Sequence, residues 1–267
     1  MPNGSSENSI DAYAPAQVAA IVENIGVAKA SLPIAKTLVL AVLAGAFIAF
    51  GGMFYTVAVT ETGLGFGPTR LIGGMAFSLG LVLVVVAGAE LFTGNNLIVM
   101  AWASRRIGMG RLLRNWGLVY LGNLVGAVAT AVLVHGSGVL DAGEGMVAAT
   151  ARGIASAKVA LPFGEAFLRG MLCNSLVCLA VWLCVAAHSV SGKILAILFP
   201  ITAFVALGFE HSVANMYLIP AGAFAGAEGV TLAATVGNLV PVTLGNIVGG
   251  SALVALVYWI AYLRKDG

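Results

Sequence analysis

Six long stretches of this 267-residue chain carry no Asp, Glu, Lys or Arg, and this constrains the fold more than any single motif. Residues 37–60 are free of charge, 71–89 run uncharged up to Glu90, and 115–134 form a third such segment. In the second half the stretches are 170–187, 194–209 up to Glu210, and 229–263, the last long enough for a loop and one long helix. A bilayer core takes about 20 apolar residues per helical span, so the pattern predicts six membrane helices. With 60% hydrophobic and only 9% charged residues, the chain lacks the polar groups to coat a soluble domain of this size.

The balance of 13 basic to 11 acidic residues is far too even for a nucleic-acid footprint, and no nucleic-acid partner is expected. Cys173, Cys178 and Cys184 all fall in one predicted helix without zinc-ligand spacing, so they read as packing residues, and neither metal nor cofactor is expected. The first residues, MPNGSSENSIDAYAP, have no basic segment followed by an apolar core, so targeting is assigned to the first span. Val18, Ile21, Val22 and Ile25 recur at helical spacing ahead of it. Residues 1–35 are therefore read as a cytoplasmic tail with a short interfacial amphipathic helix, the alternative being a frayed soluble tail, and 36–267 as the transmembrane domain.

Basic residues in short loops set orientation. Arg105, Arg106, Arg111 and Arg114 form the densest basic segment, and Lys29, Lys36, Lys193, Arg264 and Lys265 fall on the same side when six spans are counted. Only Arg70, Arg152 and Lys158 fall opposite, so both termini are expected in the cytoplasm. Trp102, Trp116, Tyr258, Trp259 and Tyr262 lie near the cytoplasmic ends, as an aromatic belt would.

The two halves repeat weakly. Glu90-Leu-Phe-Thr-Gly-Asn95 closes the second span and Glu210-His-Ser-Val-Ala-Asn215 closes the fifth, while Gly122-Asn123-Leu-Val-Gly126 is matched by Gly245-Asn246-Ile-Val-Gly249. Three spans per copy is an odd number, so the copies must face opposite ways, an all-α membrane architecture with an inverted 3+3 repeat and broken second and fifth helices. The Gly-Asn-x-x-Gly pairs also suit close helix packing.

Polar groups inside a span need a partner or a water-lined cavity, which singles out Glu90, Asn95, Asn174, Glu210, His211, Asn215 and Asn246. Thr93–Asn96 and Gly208–His211 are expected to break their helices and to line or buttress a pore, since freed backbone groups are tolerated only where protein or water satisfies them. Of the three histidines, His211 alone falls in a break, and its imidazole can hydrogen-bond a permeant acid or share a proton with it. On the residues alone, a structural histidine tied to Glu210 or Asn174 is the alternative.

Ala-Glu90-Leu-Phe92-Thr93-Gly, the run from Cys173-Asn174 to Trp182, Gly208-Phe209-Glu210-His211-Ser212-Val-Ala-Asn215-Met216, and Asn238-Leu-Val-Pro241-Val-Thr243-Leu-Gly-Asn246 together resemble the formate/nitrite transporter family, in order and over about residues 15–265. The resemblance implies an aquaporin-like fold of six helices in a homopentamer, one pore per protomer, a lipid-plugged central hole and a place in the bacterial inner membrane. It also implies apolar constrictions at Phe77, Leu81 and Phe204 around a central His211, with Thr93 in the mobile loop of the broken second helix. Asn174 becomes the polar group near the histidine and Lys158 the basic residue of the outer vestibule. Without the resemblance, Phe77, Leu81 and Phe204 would read as helix core and Lys158 as a solvated loop charge. Glu165 and Arg169 can pair on one helix face. Arg169 looks more like the nitrite members, and Pro241 to Gly250 more like the formate members.

The expected activity is thus passage of a small monovalent anion, formate first and nitrite or hydrosulfide as alternatives, as the bare anion or with a proton as the neutral acid. A neutral-solute channel shares the six-span repeat but carries Asn-Pro-Ala at both breaks, which this chain lacks. An intramembrane enzyme using Glu90, Glu210 and His211 lacks HExxH spacing and a nucleophile motif, and no enzymatic activity is expected. A non-transporting scaffold would have little use for two matched helix breaks.

Overall fold

In the computed structural model, residues 12–264 are described, so the first eleven residues and Lys265 of the basic C-terminal end lie outside the described region. Helix α1 (Pro15–Ala30) is followed by α2 (Ile34–Ala58) and α3 (Phe66–Val82), which continues through a π-helical turn, Leu83–Gly88. The chain is non-helical at Ala89–Thr93, makes a 3₁₀ turn (Gly94–Ile98) and enters the short α4 (Val99–Ala103). Next come α5 (Met109–Gly136), α6 (Met146–Val159), α7 (Phe163–Ala186), α8 (Val190–Ala206) and α9 (Ser212–Phe224). The last long helix begins as α10 (Leu232–Ile247), passes through a π-helical stretch (Val248–Leu256) and ends in α11 (Val257–Tyr262).

Among the described residues, five helical segments are long and apolar enough to cross a membrane: Ile34–Ala58, Phe66–Gly88, Met109–Gly136, Phe163–Ala186 and Leu232–Tyr262. The stretch expected as the fifth span is divided, because α8 stops at Ala206 and α9 resumes at Ser212. The first break also differs from expectation. It falls at Ala89–Thr93 rather than Thr93–Asn96, because Asn95 and Asn96 already belong to the 3₁₀ turn.

Small residues set two close helix crossings. A Cβ on Gly126 of α5 would overlap the Val42 carbonyl of α2, and one on Gly45 would overlap the Asn123 carbonyl. The second half repeats the device: Gly245 and Gly249 meet the Phe167 and Met171 carbonyls of α7. Lipid tails are as apolar as the helix faces, so such backbone approach, rather than hydrophobic exclusion, holds these pairs together.

Helix α1 packs Val18, Ala19 and Val22 into an apolar cluster with Leu97, Ile98, Met100, Trp182 and Val254. Arg106 clamps it from outside by donating to Glu23 (2.8 Å) and Asn24. Two of the tryptophans read as an aromatic belt spend their indole N–H inside the fold, Trp116 on the Asn95 carbonyl and Trp259 on the Ser104 hydroxyl.

Gly126→Val should lower the thermal midpoint of the detergent-solubilised protein by several degrees, reflecting an overpacking penalty of about 1–3 kcal/mol or more. Gly117→Ala, where an added Cβ meets nothing within 4 Å, should leave it unchanged. Differential scanning fluorimetry checks the pair.

Candidate functional site

Each helix break leaves backbone N–H and C=O groups without helical partners, which is costly wherever water is absent. One asparagine repairs each break. At the first, Asn123 of α5 accepts from the Phe92 N–H (2.9 Å) and donates to the Glu90 carbonyl (2.9 Å) and to Ala41 of α2 (2.7 Å). At the second, Asn246 of α10 accepts from the Ser212 N–H (2.9 Å) and donates to the Glu210 carbonyl (3.0 Å) and to Gly170 of α7 (2.8 Å). The glutamate N–H groups are taken up in parallel, Glu90 by the Leu40 carbonyl and Glu210 by the Arg169 carbonyl.

The carboxylates follow the same plan. Glu90 accepts from Lys29 (2.7 Å) and from Asn95 (2.7 Å); Asn95 also donates to Asn115, which donates back to the Lys29 carbonyl. Glu210 accepts from Lys158 (2.9 Å) and from Asn215 (2.6 Å); Asn215 donates to Asn238, which donates to the Lys158 carbonyl. Each buried carboxylate thus has both a cation and an amide, as burial of a charge requires. The copies differ at one atom. Lys29 also donates to Asn95 Oδ1 (3.1 Å), whereas among the described residues Asn215 Oδ1 has no partner and Lys158 donates to Glu210 alone.

His211 caps α9, accepting the Ala214 N–H at Nδ1 (3.0 Å), while Nε2 lies 2.9 Å from Thr93 Oγ1. Because Nδ1 is occupied as an acceptor, the ring proton belongs on Nε2 and is offered to Thr93. This differs from the alternative sequence reading, for His211 is tied to neither Glu210 nor Asn174. Asn174 reaches the pair indirectly, donating to the Thr93 carbonyl (3.2 Å), to Asn96 Oδ1 (2.7 Å) and to the Asn246 carbonyl (2.7 Å). Cys178 also contacts the Thr93 carbonyl (3.4 Å), and all three cysteines are free and buried.

Two cavities approach this pair from opposite ends of α3. One, of about 460 Å³, is lined by Arg70, Phe77, Lys158, Phe204, Glu210 and His211 among others. The other, of about 720 Å³, is lined by Lys29, Leu81, Glu90, Leu91, His188 and Lys193 among others. Phe77 and Leu81, one helical turn apart, therefore face different cavities, separated by about 6 Å of helix rise. Phe77 and Phe204 meet edge to face at 5.7 Å, and Phe204 stacks on His211 at 6.0 Å. Thr93 is fully buried behind them.

Lys158 is no loop charge. It sits in the last turn of α6, with its side chain only 14% exposed. Sequence reasoning missed Leu91, buried beside Leu81 on the second cavity, and the asparagines Asn115 and Asn238. The asparagines had a signal: each precedes its break-repairing partner, Asn123 or Asn246, by eight residues. Lys29 carries only an orientation signal in the sequence, since its partner Glu90 lies 61 residues away.

Asn123→Ala and Asn246→Ala should each destabilise the protein by about 2–4 kcal/mol, because each strands buried backbone groups that cost about 1–3 kcal/mol apiece when unpaired. Thermal unfolding in detergent should show both variants lowered by a similar amount. A shift in only one would contradict the equivalence of the two breaks.

The family model described as Formate/nitrite transporter matches residues 16–260. The chain is 43% identical to the formate channel FocA of Escherichia coli (strain K12) over 280 residues, 98% of each chain. It is 45% identical to a probable formate transporter of Methanothermobacter thermautotrophicus over 269 residues, 94% of this chain and 97% of that one. A solved pentameric formate channel with formate bound superposes with a TM-score of 0.80 at 38% identity, covering 86% of this chain and 98% of the other. An FNT family ion channel gives a TM-score of 0.81 at 34% identity, covering 92% of this chain and 98% of that one. With its paired breaks, matched lysine–glutamate–asparagine networks and a family match over nearly its whole length, the chain belongs to the formate/nitrite transporter family.

Proposed function

We propose that this protein is a plasma-membrane channel for small monovalent anions, formate foremost and nitrite as the alternative, working as a homopentamer with one pore per protomer. The observation that carries the proposal is the pair of cavities held apart by Phe77, Phe204, Leu81 and Leu91, with the His211–Thr93 pair between them. The named function of the relatives and the pentameric assembly of the similar channel support the same reading.

In this reading α3 with α4 and α8 with α9 are two broken spans, which brings the count to six in an aquaporin-like inverted 3+3 repeat. Residues 36–267 form the channel domain. Residues 1–35 are its cytoplasmic tail, and the C-terminus lies on the same side. The Lys158 cavity is the outer vestibule and the Lys29 cavity the inner one. Phe77 with Phe204, and Leu81 with Leu91, are the two constrictions; Glu90, Glu210, Asn215 and Asn246 support the breaks, and Asn174 holds the Thr93 loop.

A bare anion is expensive to place in an apolar constriction, whereas its neutral acid passes far more easily. Lys158 has donors to spare beyond Glu210, and it draws the anion toward the Phe77–Phe204 gate. Desolvation there raises the affinity of the anion for a proton. His211 holds its proton on Nε2 and uses Nδ1 to cap α9, so it acts as a hydrogen-bond donor to the passing molecule in place of Thr93. The transported proton is supplied by water in the vestibule. Released on the far side, the acid ionises again, and flux is proton-coupled or channel-like according to the pH on each side.

Replacing His211 by Phe, which has no donor, or by Asn, whose shorter amide cannot place one at the position of Nε2, should steepen the pH dependence of formate flux in proteoliposomes, because the bare anion loses its hydrogen-bond partner and only the neutral acid still passes. Flux unchanged at every pH would refute this role for the imidazole. Lys158→Ala should slow formate uptake more at low than at high ionic strength, since screening weakens the attraction of the wild-type charge in salt. Lys158→Arg separates this effect from destabilisation of Glu210 left without its cation, and should keep most of the wild-type salt dependence.

A further inference from the structure

The Lys158 cavity contains a second cation whose geometry differs from that of the lysine. Arg70, in the first turns of α3, donates from Nε to the carbonyl of Ala206 (3.0 Å), the last residue of α8. Its guanidinium carbon lies 5.3 Å from the centre of the Phe66 ring. Gly208, at φ +73°, leaves room beside it: a Cβ there would stand 2.7 Å from Arg70 Nη2. The hydrogen bond and the ring contact thus orient the guanidinium, and the missing Cβ at Gly208 makes room for it. Its terminal nitrogens make no hydrogen bond among the described residues, and Arg70 takes part in none of the ion pairs found there.

Arg169 lines the same cavity. Its carboxylate partner is Glu165 at 3.0 Å, both side chains are exposed, and a pair of this kind contributes little and opens readily. The cavity lining therefore holds Arg70, Lys158 and Arg169 against Glu210, while the opposite cavity holds Lys29 and Lys193 against Glu90.

We propose that Arg70, assisted by Arg169, is a capture site for anions with two adjacent oxygens, a carboxylate or nitrite, ahead of the Phe77–Phe204 gate. This rests on the channel reading above. A guanidinium presents paired N–H donors in a fixed plane that match two oxygens of one anion, whereas an ammonium such as Lys158 acts as a point charge. Because the fork is already held in place, little side-chain freedom is lost when an anion binds. The anion then passes from the fork to Lys158 and the gate.

Initial rates of formate flux in proteoliposomes, taken over a range of formate concentrations at low and high salt, test this. Arg70→Gln should raise the half-saturating formate concentration about fivefold at low salt, flatten its salt dependence and leave the maximal rate within about twofold. Arg70→Lys should keep the salt dependence but remain raised about two- to threefold, because charge without the fork is retained. Arg169→Gln, which removes an exposed side chain that bonds no backbone group, should raise half-saturation about twofold and decides the matter if the Arg70 variants fail to assemble. Unchanged half-saturation in Arg70→Gln, or in Arg169→Gln where only that variant assembles, overturns the proposal, as does full recovery in Arg70→Lys. Absence of formate flux through the wild-type protein overturns the channel reading itself, a result distinct from wild-type flux with unaffected variants.

Discussion

Everything at the centre of this protein depends on satisfying the backbone where two helices stop inside an apolar body. Asn123 and Asn246 do this with one side chain each, and in both cases the amide accepts a freed N–H and donates to two carbonyls. The glycines around each asparagine let α5 approach α2, and α10 approach α7, closely enough for the amide to reach. The Gly-Asn-x-x-Gly motif is therefore at once a packing device and the repair of a helix break.

From those breaks the chemistry follows. Glu90 and Glu210 are buried carboxylates fixed by the non-helical segments, and each draws a lysine from a distant part of the chain. Within the two carboxylate networks the copies differ at the lysine: among the described residues Lys29 is bound to both a carboxylate and an amide, Lys158 to a carboxylate only. A near-symmetric framework thus ends in two unlike cavities, and the one with the freer cation also contains Arg70 and Arg169.

Five spans were legible because a run of about 20 residues without charge, in a chain this apolar, suits a lipid solvent and little else. The breaks were legible from Glu90 and Glu210, polar residues at matched places, but the first was placed at Thr93–Asn96 because nothing local shows that Gly94–Ile98 recovers a 3₁₀ turn. His211 was identifiable, while its partners were not: the Ala214 N–H is a backbone group, and Thr93 lies 118 residues away. Leu91 looks like any apolar residue in a membrane segment, and only the cavity shape sets it apart. Asn115 and Asn238 were missed, although the eight-residue spacing of Asn115 and Asn123 recurs in Asn238 and Asn246. Their meaning required the lysine carbonyls they grip, at Lys29 and Lys158.

The central claim is that two paired interruptions leave a short apolar septum with one imidazole donor at its middle, through which a small anion or its acid moves. A high-resolution cryo-electron-microscopy map of the protein in lipid nanodiscs with saturating formate tests it most directly. The claim expects helical density to stop at Ala89–Thr93 and again at Leu207–His211, with formate density within hydrogen-bonding distance of His211 Nε2 or against the Phe77–Phe204 gate. Unbroken helices through either segment, or a filled protomer with no anion density beside the imidazole or the gate, would contradict it.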